Sequence, residues 1–389
     1  MPVLNRAAEL HGEVTAWRRH LHSLPEIGFE LDRTATFVAE RLREFGCDDV
    51  VTGIGQSGVV AVIRGSKGDG PAIGLRADMD ALPIVETSGV EHSSKVSGTM
   101  HACGHDGHTA MLLGAAKHLA ETRNFAGSSV LIFQPAEEIG RGANAMIDDG
   151  LMHRFGIERV FGMHNMPGLK EGSFAIRPDG IMASSSRFTL IVKGVGGHAA
   201  RPQSVVDPIV IAAQIIEALQ VIVSRNTDPL QAVVVSVTKV SAGTAFNIIP
   251  EQVELLGTVR TLDPALVGVT RDRIEHIARS IAEAGGGSIE YDFDAAVPVT
   301  LNHAEETVLA ADVAADIAGE AGIDRAAEPV MAGEDFSQML RARPGAFIFI
   351  GNGDTAGLHH PAYDFNDAII PQGMSYWVRL VETALAPRA

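Results

Sequence analysis

Cysteine is almost missing from this chain: Cys47 and Cys103 are the only two in 389 residues. Cys103 lies in the reactive cluster described below, so no structural disulfide is expected and a reducing cytoplasm is the expected compartment. Positive charge is also short, with 31 Lys and Arg against 48 Asp and Glu, a formal balance of −17. A molecule this negative has no general attraction for nucleic acid or anionic lipid, and neither is expected as a partner. The first residues lack a basic segment followed by an apolar run, so no signal peptide is read there. No window of about 18 residues is free of charged or strongly polar side chains in the way a membrane span requires. Internal repeats and low-complexity segments are absent too. These absences leave a soluble protein, long enough for about two domains.

Reactive side chains are abundant in one place. His101-Ala102-Cys103-Gly104-His105-Asp106-Gly107-His108 carries three His and one Cys within eight residues, ahead of an apolar helical pattern over Thr109 to Leu119. Residues two apart point to different sides of a helix, so Cys103 and His105 can meet on one ion only from a turn. A helix beginning near Asp106 would present its positive end to Cys103 and is expected to lower the thiol pKa.

The surrounding pattern alternates. Helices are expected at Leu4 to His22, Asp32 to Phe45, Gly107 to Glu121 and Ala143 to Leu151, with buried strands at Val59 to Ile63, Ala72 to Leu75, Ser129 to Phe133 and Val160 to Met163. That alternation argues an α/β domain with a mostly parallel sheet and helices on both faces, with ligands beyond the carboxyl ends of the strands. Asp78/Asp80, Glu137/Glu138 and His164 all follow such strands. From about residue 183 to 295 the order becomes β-α-β-β-α-β, with strands at Phe188 to Val192, Ala232 to Val240, Val253 to Thr261 and Ser288 to Phe293 and helices at Asp207 to Ser224 and Leu266 to Ala284. This is the ferredoxin-like pattern, read as an inserted domain between a first catalytic part (1–182) and a second (296–389). The second part carries a helix at Ala304 to Ala318, a strand at Phe347 to Ile350 and a helix at Pro371 to Leu385.

Cys, His, Glu, His and one of the pair His359-His360 thus fall at strand ends or loops on one edge of one sheet. Such a mix of S, N and O donors suits Zn²⁺, Mn²⁺, Co²⁺ or Ni²⁺ and poorly suits Ca²⁺ or Mg²⁺. A thiolate can bridge two ions, and two ions can activate water and polarise a carbonyl for amide hydrolysis. Glu137 and Glu138 are adjacent, and neighbours in an extended segment point opposite ways, so one can bind metal while the other faces substrate.

Six stretches together resemble the aminoacylase and carboxypeptidase superfamily of peptidase family M20: Gly74 to Pro83, the His101 to His108 run, Phe133 to Glu138, Gly162 to Asn165, Gly196-Gly197-His198-Ala199-Ala200, and Met331 to Phe336. They are most similar to its amidohydrolase branch, which includes hippurate and auxin-conjugate hydrolases. The resemblance implies two divalent transition-metal ions, Mn²⁺ or Zn²⁺ first. Cys103 would bridge them, with His105 and His164 on one ion and Glu138 and His359 on the other; the branch pattern Leu-His-x-Pro favours His359, and His360 stays an alternative. Glu137 would be the general base. Asp80 would orient the site, and Asp78 stands where other branches carry a metal-binding His. By the same resemblance His198 reaches across a homodimer, formed through the inserted domain, to stabilise the oxyanion in the partner's site. Asn247 would position the scissile carbonyl, Arg260 grip the substrate's α-carboxylate, and Gly333 line the site through its backbone. The implied reaction is hydrolysis of N-acyl amino acids. A dipeptidase or carboxypeptidase of the same superfamily, a Cys103-nucleophile amidase and a non-catalytic metal-binding relative are the rival readings.

Overall fold

A computed structural model describes residues 3–387. The chain forms two compact units: the first runs to Ile181 and resumes over Leu301–Glu328 and from Asp335 onward, and the second comprises Met182–Thr300 and Pro329–Glu334.

In the first unit, helices α1 (Asn5–Ser23) and α2 (Asp32–Glu44) precede β1 (Asp49–Ile54), β2 (Gly58–Arg64) and β3 (Ala72–Asp78). There follow α3 (His105–Thr122), β4 (Ser128–Gln134), α4 (Gly142–Asp148), α5 (Leu151–Arg154), β5 (Ile157–Pro167), β6 (Phe174–Ala175) and β7 (Asp179–Met182). The second unit holds β8 (Ser185–Lys193), β9 (Gly197–His198), α6 (Pro208–Val221), β10 (Val233–Ala242), β11 (Ile248–Ile249), β12 (Gln252–Thr261), α7 (Pro264–Ala284) and β13 (Ser288–Val297). The chain then adds β14 (Thr300–Asn302), α8 (Ala304–Ala318), β15 (Ile323–Asp324), α9 (Phe336–Ala342), β16 (Gly345–Gly353) and α10 (Ile370–Ala384).

The large sheet has eight strands in the order β1-β2-β4-β3-β5-β16-β6-β15. Its centre, β4-β3-β5-β16, is parallel, and an antiparallel β1-β2 hairpin closes one edge. Strands β2, β3 and β4 are buried almost without interruption because both faces are covered. Helix α3 is buried along nearly its whole length, and residues of α1, α3, α8 and α10 share one core with the sheet, around Leu112, Leu113, Ile348 and Trp377. Strand β1 has no counterpart in the sequence reading: it is an exposed edge strand, Asp49 to Ile54, with only Ile54 buried, so it carries no apolar run. Strand β5 runs on through His164 to Pro167, paired with β16, beyond the end expected at Met163.

The second unit is a four-stranded antiparallel sheet, β10-β12-β8-β13. Strand β12 alternates buried and less buried residues along its length, the period-two signature of a half-covered sheet. Ile211, Ile215 and Leu219 of α6 and Ile274 and Ala278 of α7 fill one core with Phe188, Leu190 and Leu255. This is the ferredoxin-like layer. The helix spanning Pro208–Asn226 is long and apolar enough by composition to cross a membrane, but its buried residues, Ile211, Ala212, Ile215 and Leu219, are those that pack on this sheet.

Candidate metal centre

Four segments of the first unit converge beyond the carboxyl ends of the central strands. Past β3, Asp80 accepts hydrogen bonds from the main-chain N–H groups of Glu137 (2.9 Å) and Glu138 (3.2 Å), which follow β4. Ala136, just before them, holds φ +55°, and its N–H donates to the Gly28 carbonyl. Gly104, at φ +91°, caps α3 between Cys103 and His105, and a Cβ there would lie 2.2 Å from the Asn165 amide nitrogen. His359 also has positive φ, +62°, and its N–H donates to the Ala102 carbonyl at 2.8 Å.

The side chains so placed form two overlapping triads. The ligand atoms of Cys103, His105 and His164 lie within 4.8 Å of one another, as do those of Cys103, Glu138 and His359. Cys103 Sγ is 3.4 Å from His164 Nε2, His105 Nε2 is 3.8 Å from Glu138 Oε1, and His359 Nε2 is 3.4 Å from Glu138 Oε2. Ligand bonds of about 2.0–2.3 Å in a tetrahedral shell put neighbouring donors roughly 3.3–3.8 Å apart, so these separations fit shared ions.

Each buried ring is held with its lone pair inward. His105 Nδ1 donates to the Asp80 carbonyl (2.8 Å) and His164 Nδ1 to the Asn165 carbonyl (2.6 Å), so in the neutral rings Nε2 is the nitrogen that carries the lone pair. His105 Nε2 and Glu138 Oε1 are buried without a hydrogen-bond partner. Such orphaned atoms are costly in a protein interior and are the mark of a cation site. His360 is exposed, its Nδ1 taking the Ala362 N–H.

Electrostatics follow from burial. Burial pushes the Glu138 carboxyl up to about 7, with Asp80 and Asp78 adding to it against the pull of His105. The Cys103 thiol moves opposite to the expected direction: burial, then the Glu138 carboxylate, push it well up, outweighing the pull of His105. In the metal-free chain Cys103 is therefore a thiol.

His101 and His108 share the dense run but do not join the triads. Burial lowers the His101 pKa to about 3, keeping the ring neutral. His108 donates from Nδ1 to Asp78 (2.6 Å) and accepts at Nε2 from the Asn165 main-chain and side-chain N–H groups (both 3.0 Å). Asp78 also takes an Arg76 N–H at 2.6 Å, so it is an anchor within a buried network. Asn165 in turn donates to the Cys103 carbonyl and accepts the Tyr363 hydroxyl, both at 2.7 Å. His108 belongs to the reactive run of the sequence reading, but its anchoring role was not read there; Asn165 was hinted at only by its place next to His164, and Tyr363 had no local signal.

Within the second unit, His198 of β9 pairs with Ile248 of β11, and the Ala199 N–H donates to the Asn247 carbonyl, so His198 and Asn247 share one exposed tip. His198 Nδ1 accepts from the Ala200 N–H at 3.0 Å, which puts the proton of the neutral ring on Nε2, free to donate outward. Arg260 of β12 is half-buried and its guanidinium donates to the main-chain carbonyls of Ser186 and Val259; burial lowers its pKa. Gly333 packs where a Cβ would come within 2.8 Å of Ser185 Cβ.

A parallel sheet with two fused donor triads beyond its strand ends defines a dinuclear hydrolase class. Residues 74–383 match the model of peptidase family M20/M25/M40, and the chain belongs to that family. It is 42% identical over 380 residues to a hippurate hydrolase of Campylobacter jejuni, covering 98% of both chains. It is 41% identical to thermostable carboxypeptidase 2 of Saccharolobus solfataricus, covering 89% of this chain and 88% of that one. Among solved structures, a dinuclear metal-binding peptidase of the M20 family from Bacillus subtilis superposes with a TM-score of 0.86 at 34% identity, covering 98% of this chain and 100% of that one. The protein is a metal-dependent amidohydrolase acting on amides, with a centre for two divalent ions.

Proposed function

We propose that the protein hydrolyses N-acyl amino acids to a carboxylic acid and a free amino acid. The observation that carries this reading is the convergence of Cys103, His105, Glu138, His164 and His359 from four segments of the chain, with Nδ1 of both buried rings held by main-chain carbonyls. In this reading His105 and His164 would hold one ion, Glu138 and His359 the other, and Cys103 would serve both. When bound, the ions supply Lewis acidity that lowers the pKa of water and polarises the scissile carbonyl. Mn²⁺ or Zn²⁺ suits the S, N and O set best, with Co²⁺ or Ni²⁺ as alternatives.

Glu137, held by Asp80 through its main-chain N–H, takes a proton from the attacking water and delivers it to the leaving nitrogen. His198 Nε2–H donates to the developing oxyanion in the site of a second copy, Asn247 positions the carbonyl, Arg260 pairs with the α-carboxylate, and Gly333 lines the site by its backbone. A half-buried guanidinium bonded to main-chain carbonyls suits that anion. Homodimerisation through the second unit is supported by its exposed apolar residues, among them Ile209 and Val210 of α6, Val234 and Val240 of the edge strand β10, and the wholly exposed Phe246. Two free thiols suit a reducing cytoplasm, the compartment read for this protein.

The thiol pKa of Cys103, pushed up by burial, argues against a cysteine nucleophile. The likeness to a carboxypeptidase keeps peptide substrates as the second reading, and kcat/KM on N-acetyl, N-benzoyl and indole-acetyl amino acids against dipeptides separates the two. The direct test is Glu137→Gln, expected to keep its metal and its substrate affinity while kcat falls about a hundredfold to ten-thousandfold. An active Glu137→Gln protein, or a wild type that works after chelation, would refute the mechanism.

A further inference from the structure

The turn that carries Glu137 and Glu138 also carries an apolar residue that its packing does not explain. Gly140 N–H donates to the Glu137 carbonyl at 2.7 Å, so Glu138 and Ile139 are the two central residues of one tight turn. Polar residues and glycine are the rule at such corners. Ile139 is nonetheless 47% exposed there.

A second exposed isoleucine lies beside it. The segment Glu26-Ile27-Gly28 is stitched across the ends of β3 and β4: Ala81 N–H donates to the Glu26 carbonyl (2.8 Å), and Ala136 N–H to the Gly28 carbonyl (3.0 Å). Ile27 bridges Ala81, next to Asp80, and is 37% exposed. A Cβ built on Gly28 would lie 3.8 Å from Ile139 Cδ1, so the two segments are in contact distance. Two branched apolar side chains thus stand on the sheet edge from which Asp80, Glu137 and Glu138 serve the metal centre.

We propose that Ile27 and Ile139 form the apolar wall that receives the acyl group of the substrate and sets the preference for larger, uncharged acyl chains. This rests on the hydrolysis of N-acyl amino acids argued above. Such a substrate has one anionic end, which isoleucine cannot satisfy, and one uncharged end, the acyl chain, which gains by covering apolar surface. The wall is borne by the same turn as the general base, so a group seated on it lies next to the scissile carbonyl.

The test compares kcat/KM for N-benzoylglycine and N-hexanoylglycine with that for N-acetylglycine in the metal-loaded wild type, Ile139→Ala, Ile27→Ala and Ile139→Val. Removing contact with an acyl chain is expected to lower the larger-to-acetyl ratio about tenfold in Ile139→Ala, through KM more than kcat. Ile27→Ala should lower it in the same direction, and Ile139→Val should keep most of it. Both residues are partly exposed, so thermal midpoint and metal content should stay at wild-type values. An unchanged ratio, or an equal fall on all three substrates, overturns the proposal while leaving the hydrolase reading intact. A metal-loaded wild type that cleaves none of the three refutes the reading itself and the proposal with it.

Discussion

Gly104 shows how one residue without a side chain holds the centre together. It turns the chain at φ +91° between two donors, and the Asn165 amide and Tyr363 hydroxyl occupy the space where a Cβ would stand, at 2.2 and 2.6 Å. Gly104→Ala combines left-handed strain with overpacking, and unfolding of the metal-free protein in urea should show a loss of about 2–5 kcal/mol. Metal affinity should fall with it, because Asn165 holds the Cys103 carbonyl. Wild-type stability in this variant would contradict the account. Ala136, beside the donors, and His359, itself one of them, are further strained positions at positive φ, the kind of strain that concentrates where geometry serves function.

At the scale of elements, α1 is docked on the first turn of α3 by charge. Arg18, fully buried, contacts Asp106 at 2.8 Å, and His22 Nδ1 lies 2.8 Å from the same carboxylate. Burial by itself lowers the His22 pKa, but Asp106 and Glu86 outweigh it and raise it to about 9. A raised histidine pKa contributes stability that is complete below about 6.5 and is lost as pH rises through about 9. Unfolding free energy should therefore decline between these pH values, by no more than about 3 kcal/mol, and His22→Gln should flatten the profile; an unaltered slope in the variant would count against the linkage. The elements themselves were largely legible: α3 announces itself by an apolar helical pattern, β3 and β4 by short apolar runs, and the ferredoxin-like order by alternating strands and helices. What stayed hidden depends on distant partners. Strand β1 lacks an apolar pattern because it is an exposed edge, and Tyr363 matters only through Asn165, nearly 200 positions earlier in the chain. The acidity of Cys103 was read in the wrong direction because local spacing reveals a helix end but not the burial that outweighs it.

For the whole molecule, the proposed dimer makes a sharp prediction. If His198 serves the partner's site, an equal mixture of inactive Glu137→Gln and His198→Ala chains, refolded together, forms mixed dimers with one intact site. Random pairing makes half the dimers mixed, each with one of two sites working, so about a quarter of wild-type activity should return. No recovery would place His198 in its own chain's site or outside the reaction. Beneath this lies the claim that five donors grip a pair of ions. Elemental analysis after saturation with Mn²⁺ or Zn²⁺ and removal of excess metal tests it most directly: the account predicts about two ions per wild-type chain and at most about one in Cys103→Ala. A wild type that retains fewer than one, or a Cys103→Ala chain that still holds two with unchanged affinity, would contradict it.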